Sequence, residues 1–293
     1  AGVRTECELI RLEAWLRFDG QPAFGWIEPL RDAIAASADS GSLGLFPNGP
    51  EELDSALEAY FALRLAGDHP GTERLVRLRE RILALGGIQG ASPRMRLVLS
   101  LLGLYPKQYV PRLPIELFLV RGEAGKLAAW AAPIAVPIAL LQDEGRVRHP
   151  GFDLKELERP GAEWNLSAGS PGLLYSLAEK GGKLLPGPVR ERARARAREW
   201  IRERAEKRDF LETVPALAAI AMALERDSRG RVLERLQDPA GPKSGSGPAF
   251  LEADVWEAGL TLETLEAAPE AASLRSRLDK ARIPKGGWAL ASG

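Results

Sequence analysis

Cysteine and histidine are nearly absent: Cys7 stands alone, and the only histidines, His69 and His149, lie far apart. A single cysteine excludes an internal disulfide and a cysteine-built metal site, and it fits a reducing compartment. Each histidine sits beside a proline (Pro70, Pro150) in a turn-like context. Both are therefore expected to be loop residues rather than ligands or bases, and no metal or other cofactor is expected. An excess of either charge is also missing, with 40 Lys and Arg against 40 Asp and Glu. That balance gives no reason to expect nucleic acid as a partner. No run of about eighteen apolar residues occurs, so no membrane-spanning helix is expected. The opening residues AGVRTECELI have no apolar core segment, so a cleaved leader is not expected, and the cytoplasm is the expected location.

What is present suffices for a sizeable core: 45% of residues are hydrophobic and 27% charged. The most apolar stretch is 127–141, LAAWAAPIAVPIALL, in which the indole N–H of Trp130 is the only polar side-chain group. It is shorter than the roughly twenty residues a bilayer span needs. Pro133 and Pro137 each remove a helix hydrogen bond, so a buried, kinked helix near the centre of the protein is expected. The preceding YVPRLPIELFLV, with Pro111 and Pro114, reads as an extended lead-in ending in Leu117, Phe118, Leu119 and Val120.

Along the rest of the chain the apolar residues recur at helical spacing. Helices are expected over 5–18 and 26–36. Another opens at Pro50, capped by Asn48 or Gly49 and favoured by Glu51 and Glu52; it buries Leu53, Leu57, Tyr60 and Phe61 and stops at Gly67. The next presents Leu75, Leu78, Ile82 and Leu85 on one face and ends at Gly86-Gly87; a short one runs from Pro93 to Leu102, stopped by Gly103. After the apolar stretch, 142–164 reads as a polar connector with one helical piece at 154–158. Pro188 opens a helix with a stripe of Val189, Ala193, Ala197, Trp200 and Ile201. Its arginine-rich start is interleaved with Glu191, Glu199, Glu203 and Glu206, and reads as a solvated outer helix rather than a nucleic-acid or lipid-phosphate patch. A nearly all-apolar helix over 212–224 follows, then a Gly-, Pro- and Ser-rich loop from 237 to 248, then helices at 251–267 and 269–281. No alternating run argues a strand. Amphipathic helices taking turns with more apolar ones predict an all-α protein built as a ring of helix pairs, an α/α barrel, over residues 1–293 as a single domain.

From Gly44 onward the segments GLFPNGPEELDSALEAYFALRLAGDHP, RERILALGGI, LSLLGLYPKQYVPRLPIELFLV, LAAWAAPIAVPIALL, GFDLKEL, ADVWEAGLTLETLEA and LRSRLDKARIPKGGW succeed one another. In that order they resemble the N-terminal half of squalene–hopene cyclases, class II terpene cyclases made of two α/α barrels that cyclise a linear isoprenoid by protonation, an isomerase chemistry. The resemblance implies a terpenoid cyclase component that binds a long isoprenoid hydrocarbon such as squalene. It implies substrate-lining roles for Trp130 and Trp256, with Phe118, Val214 and Pro215 walling the same space. The departures are as informative. The family's acid is the middle aspartate of an Asp-x-Asp-Asp motif, expected soon after a segment like KGGWAL; no such motif occurs in the 293 residues. The repeat motif ending Gly-x-Trp is degraded, with Leu43 in place of tryptophan in DSGSLGLFP and KRDFLE in place of a second copy. The family's Ile-Gln-Pro-Pro stands here as Thr213, Val214, Pro215 and Ala216.

Protonating an alkene requires a strong acid in a dry pocket, with aromatic faces to stabilise the cations that follow. Glu252, Asp254 and Glu257 are the carboxylates near Trp256, and Glu257 is the first candidate among them for a catalytic acid. A carboxyl desolvated by a tryptophan is a weak acid, however, poorly suited to alkenes. The expectation is therefore a component that needs a partner chain or domain carrying the acid motif. The alternative is a non-catalytic, degenerate barrel serving as an isoprenoid-binding or protein-interaction scaffold. Whether the chain is by itself an enzyme is left open. At 172–188, GLLYSLAEKGGKLLPGP occupies the place where the cyclases carry a helix that dips into one membrane leaflet. A peripheral contact through these residues, on the inner face of the membrane, is the corresponding expectation.

Overall fold

The computed structural model describes residues 4–21, 24–41, 43, 51–110, 113–116, 132–164, 187–206 and 214–237. Among the described residues the regular structure is helical, without a strand. In chain order the helices are α1 (Arg4–Phe18), α2 (Ile27–Asp39), α3 (Leu53–Leu65), α4 (Glu73–Ala84), α5 (Pro93–Leu101), α6 (Ala132–Asp143), α7 (Gly187–Glu206), α8 (Val214–Ala223) and α9 (Gly230–Gln237). Single 3-10 turns occur at Ile88–Gly90, Lys107–Tyr109, Lys155–Leu157 and Arg226–Ser228.

Two kinds of helix are present among the described residues. In α1 every residue from Cys7 to Leu16 is buried, in α3 every residue from Asp54 to Leu63, and in α8 all but Pro215. The partner helices bury one stripe each: Leu75, Leu78 and Ile82 in α4; Ala193, Ala197, Ile201 and Ala205 in α7; Val232, Leu233 and Leu236 in α9. A three- and four-residue spacing on one side is the mark of a helix covering others, and burial all round is the mark of a helix that is covered.

The covered helices are neighbours in the order α3, α1, α8, α6, α5. Asp54 and Glu58 of α3 accept hydrogen bonds from Ser92 and Arg94 at the start of α5, which returns the ring to its beginning. They also run in one direction. Arg148 and Arg229, beyond the C-termini of α6 and α8, both donate to Asp19, just beyond the C-terminus of α1. The backbone N–H of Arg148 bonds Leu101 O at the end of α5 (3.0 Å). The N-termini of α3 and α5 meet through the Asp54–Ser92 contact. Parallel inner helices covered by outer ones are the layout of an α/α toroid, so the all-α expectation holds.

Local chemistry accounts for the boundaries. Ser92 caps α5 by accepting from the Met95 N–H (3.3 Å), with Pro93 in the first turn. Trp26 offers α2 no side-chain cap; instead the fully buried carboxylate of Glu13 accepts the Trp26 N–H from a neighbouring helix (3.1 Å). Gly67, Gly86, Gly87 and Gly103 take positive φ just past helix ends, the conformation that glycine adopts without a Cβ clash. Pro137 lies inside α6, as the buried apolar segment required, and Val136 through Leu141 are buried around it.

Several expectations need correction. Helix α3 starts at Leu53 rather than at Pro50; Glu52 is extended at the N-cap, and its carboxylate accepts the Ser55 hydroxyl (2.9 Å). Leu85 is exposed: α4 stops at Ala84, and the next residue has left the apolar face. Trp200 is half-buried, with Arg204 lying over its ring (5.1 Å). Helix α9 was not foreseen, because the charges at Arg231, Glu234 and Arg235 mask its short apolar stripe. The lead-in at 117–120, residues 127–131, the segment 172–186, the loop up to 248 and the helices at 251–267 and 269–281 lie outside the described residues.

Candidate functional site

Of the residues expected to line a hydrocarbon site, Val214 and Pro215 are described. They form the first turn of α8, Val214 buried and Pro215 half-buried, where α8 packs between α1 and α6. Phe118, Trp130, Trp256 and Glu257, with Leu117, lie outside the described residues. Ala132, two positions after Trp130, is buried at the start of α6 beside α8. The inner helices are parallel, so the starts of α6 and α8 face the same end of the ring as the starts of α1, α3 and α5.

That end carries a group of charges that sequence reasoning missed. Glu58, 3% exposed, accepts from Arg4 of α1 (3.3 Å) and from Arg94 of α5, so one carboxylate ties three helices together. Glu8, 4% exposed, pairs with Arg11 one turn along α1. Glu6 keeps one buried carboxylate oxygen with no hydrogen-bond partner. Cys7 sits among them, and burial, reinforced by the surrounding carboxylates, pushes its thiol well above its ordinary value. Burial likewise raises the carboxyls of Glu6 and Glu8 above theirs; for Glu8 it does so against Arg11 and Arg94. One signal was available in the sequence: ECELIRLEAWL spaces charges through a stretch too apolar to be a surface helix.

The opposite end is clasped by ions. Asp19 accepts from Arg148 (2.6 Å) and from Arg229, whose Nε also donates to Leu224 O (3.0 Å) at the end of α8. Asp143 accepts from Arg190 (2.8 Å) and Arg194 (2.6 Å), and Glu144 from Arg198 (2.6 Å), so three arginines one turn apart on α7 lock onto the end of α6. Burial opposes the charged forms of Asp19 and Asp143, but the guanidinium bonds outweigh it and hold both carboxyls below their usual value. The arginine-rich helix is thus half solvated and half an ion-paired interface, a refinement of the solvated-helix expectation.

The histidines behave as loop residues. Nδ1 of His69 accepts the Gly71 N–H and Nδ1 of His149 the Gly151 N–H, each at 3.1 Å. No group of three His, Cys, Asp or Glu side chains that could hold a metal occurs among the described residues. No helix among them is long and apolar enough to cross a membrane.

Comparison with known proteins identifies the kind of barrel. A squalene–hopene cyclase of Zymomonas mobilis is 36% identical over 108 residues, covering 36% of this chain and 16% of that protein. A squalene hopane cyclase of Aspergillus fumigatus is 28% identical over 318 aligned positions, covering 88% of this chain and 42% of its own length. A squalene–hopene cyclase of Alicyclobacillus acidocaldarius is 27% identical over 182 residues, 57% of this chain and 28% of that one. The chain thus spans less than half the length of these curated relatives. The model of the squalene-hopene cyclase N-terminal domain matches residues 28–229, from the first turn of α2 to the arginine of the C-terminal clasp. With well over half of its residues in that match, the chain belongs to the squalene–hopene cyclase family, and residues 28–229 correspond to that family's N-terminal domain.

Proposed function

We propose that this chain is the hydrocarbon-binding half of a class II terpenoid cyclase and that the protonating acid comes from a partner chain or a further domain. One observation carries the reading: the family match runs through the helical ring, while the 293 residues contain no Asp-x-Asp-Asp. In this proposal residues 1–293 act as one barrel domain, and Trp130, Trp256, Phe118, Val214 and Pro215 line a site for a long isoprenoid such as squalene. Relatives named for squalene support that class of ligand. Residues 172–188 make a peripheral membrane contact on the cytoplasmic face, where so apolar a ligand is dissolved.

A second reading, a degenerate barrel that binds isoprenoid or protein without catalysis, is favoured by Val214. This residue is apolar and 5% exposed at the start of α8, so no side-chain polar group there can hold an ordered water near the ligand. The deciding experiment is reconstitution. The chain is assayed with squalene alone and then with a chain bearing an Asp-x-Asp-Asp barrel. The expected outcome is thermal protection by the hydrocarbon without turnover when alone, and cyclised product from the pair. Trp130→Ala should reduce protection by more than Trp200→Phe. Turnover by the isolated chain would overturn the need for a partner, and Glu257 would be the first residue to replace. Binding without turnover in either case would favour the second reading.

A further inference from the structure

The C-terminal end of the inner ring shows solvent an aromatic ring and a set of unpaired cations. Phe18, the last residue of α1, is 44% exposed. Just beyond it the rings of Phe24 and Trp26, both half-buried, stack at 4.8 Å. Arg226, in the turn after α8, lies against the same corner: a Cβ added to Gly20 would come within 3.9 Å of its Nη1.

Helix α7 begins at this end, since Arg190 and Arg194 both reach Asp143, the last residue of α6. Its outermost stripe, opposite the buried alanines, runs Arg192, Arg196, Glu199, Glu203 and Glu206, all exposed. Bases come first and acids last. A helix on its own favours the reverse order, because its N-terminus is the positive end, yet the first turn of α7 holds no acid. Arg190, Arg194 and Arg198 are accounted for by Asp143 and Glu144. Arg192, Arg196 and Arg226 make no side-chain ion pair or hydrogen bond among the described residues. The exposed acids beside them are Glu191 and Glu225, already held by arginines, and Glu28 and Asp227.

We propose that this end of the ring is laid on an anionic phospholipid bilayer, with the Phe18 ring in the headgroup layer and Arg192, Arg196 and Arg226 on lipid phosphates. The proposal rests on the reading of 172–188 as a membrane contact, a segment that runs straight into α7. It adds which end of the ring meets the membrane and which lipid charge that end selects. An exposed aromatic ring suits the boundary between headgroups and acyl chains, and the arginines supply the charge that a negative leaflet attracts. The acids of the α7 stripe do not cancel that attraction. At 1.5 Å per residue they stand about 10 to 21 Å from Arg192 along the axis, at or beyond the Debye length of about 10 Å in 0.1 M salt.

Flotation of the full chain tests this with vesicles of phosphatidylcholine alone, or containing about 30% phosphatidylglycerol, in about 0.1 M salt. The unaltered chain should bind the anionic vesicles more tightly, and about 0.5 M salt should remove the difference. Arg192→Gln combined with Arg196→Gln should lower affinity for anionic vesicles roughly tenfold or more and leave binding to neutral ones unchanged. Phe18→Ser should weaken binding to both, whereas Arg202→Gln, further along α7, should change neither. All four positions are exposed, so circular dichroism should show each variant folded. Equal binding of the unaltered chain to both vesicles, or an undiminished anionic preference in the double arginine variant, would overturn the proposal. If Leu173→Glu with Leu177→Glu then abolishes binding, the contact through 172–188 stands without it. A chain that floats with neither vesicle would overturn both.

Discussion

The two ends of the inner ring use the same residue types to opposite effect. At the C-terminal end each half-buried aspartate meets two guanidiniums from distant parts of the chain, and both carboxyls are held below their usual range. At the N-terminal end Glu8 is hydrogen-bonded by one arginine, on its own helix, and burial raises its carboxyl even against the nearby charges of Arg11 and Arg94. Burial by itself does not set the protonation state. The number of donors per carboxylate, and whether they come from elements that folding brings together, decides it.

The largest effect should come from breaking the clasp. Arg229 is 2% exposed and serves Asp19, Gln21 and the end of α8 at once. Arg229→Met is expected to cost about 3 kcal/mol in urea unfolding, the lower end of the usual range for a broken buried pair because Arg148 still holds Asp19. The acid limb should change with it. Asp19, held below its ordinary 3.8, contributes stability present above that value and lost as pH falls through the folded one, so the variant should show a smaller further loss on acidification. A variant as stable as the unaltered chain would mean that α8 is held by apolar packing alone.

At the other end, Glu58→Gln should cost less, about 1.5–3 kcal/mol. Arg4 and Arg94 are each about two-fifths exposed, so water can take over their charges. A loss exceeding that of Arg229→Met would reverse the ranking of the two ends.

The smallest effect sharpens the comparison from outside the ring. Leu85→Lys should change stability by no more than about 0.5 kcal/mol, since Leu85 is 41% exposed beyond the end of α4. The same change one turn back, Ile82→Lys, should not be tolerated, because Ile82 is fully buried on the apolar stripe.

These contrasts mark how far the sequence could be read. The helical array was legible because Leu75, Leu78 and Ile82 on the outside, and the unbroken apolar run of α8 inside, obey one period. Helix starts were less so. Pro50 offered a plausible first turn, but the Glu52–Ser55 and Asp54–Ser92 bonds place the start of α3 three residues later, and the second involves a partner 38 residues away. The charged ends of the ring were illegible for the same reason. Nothing local tells that Arg148 and Arg229 will converge on Asp19, or that Arg190, Arg194 and Arg198 will face α6 rather than water. The nearly all-apolar helix expected over 212–224 is α8, which starts at Val214.

The position of α1 between α3 and α8 has a consequence for how the protein is made. Asp19 and Arg229 are 210 positions apart, so the partner of the first helix is synthesised long after it. At the usual pace of translation, about 5–20 residues per second, the apolar residues Leu9, Ile10, Leu12, Trp15 and Leu16 wait roughly 10–40 s for α8. During that interval α1 can rest on α2 and α3 but not close the ring. The nascent chain therefore presents a long-lived sticky surface on which a chaperone would find its natural purchase.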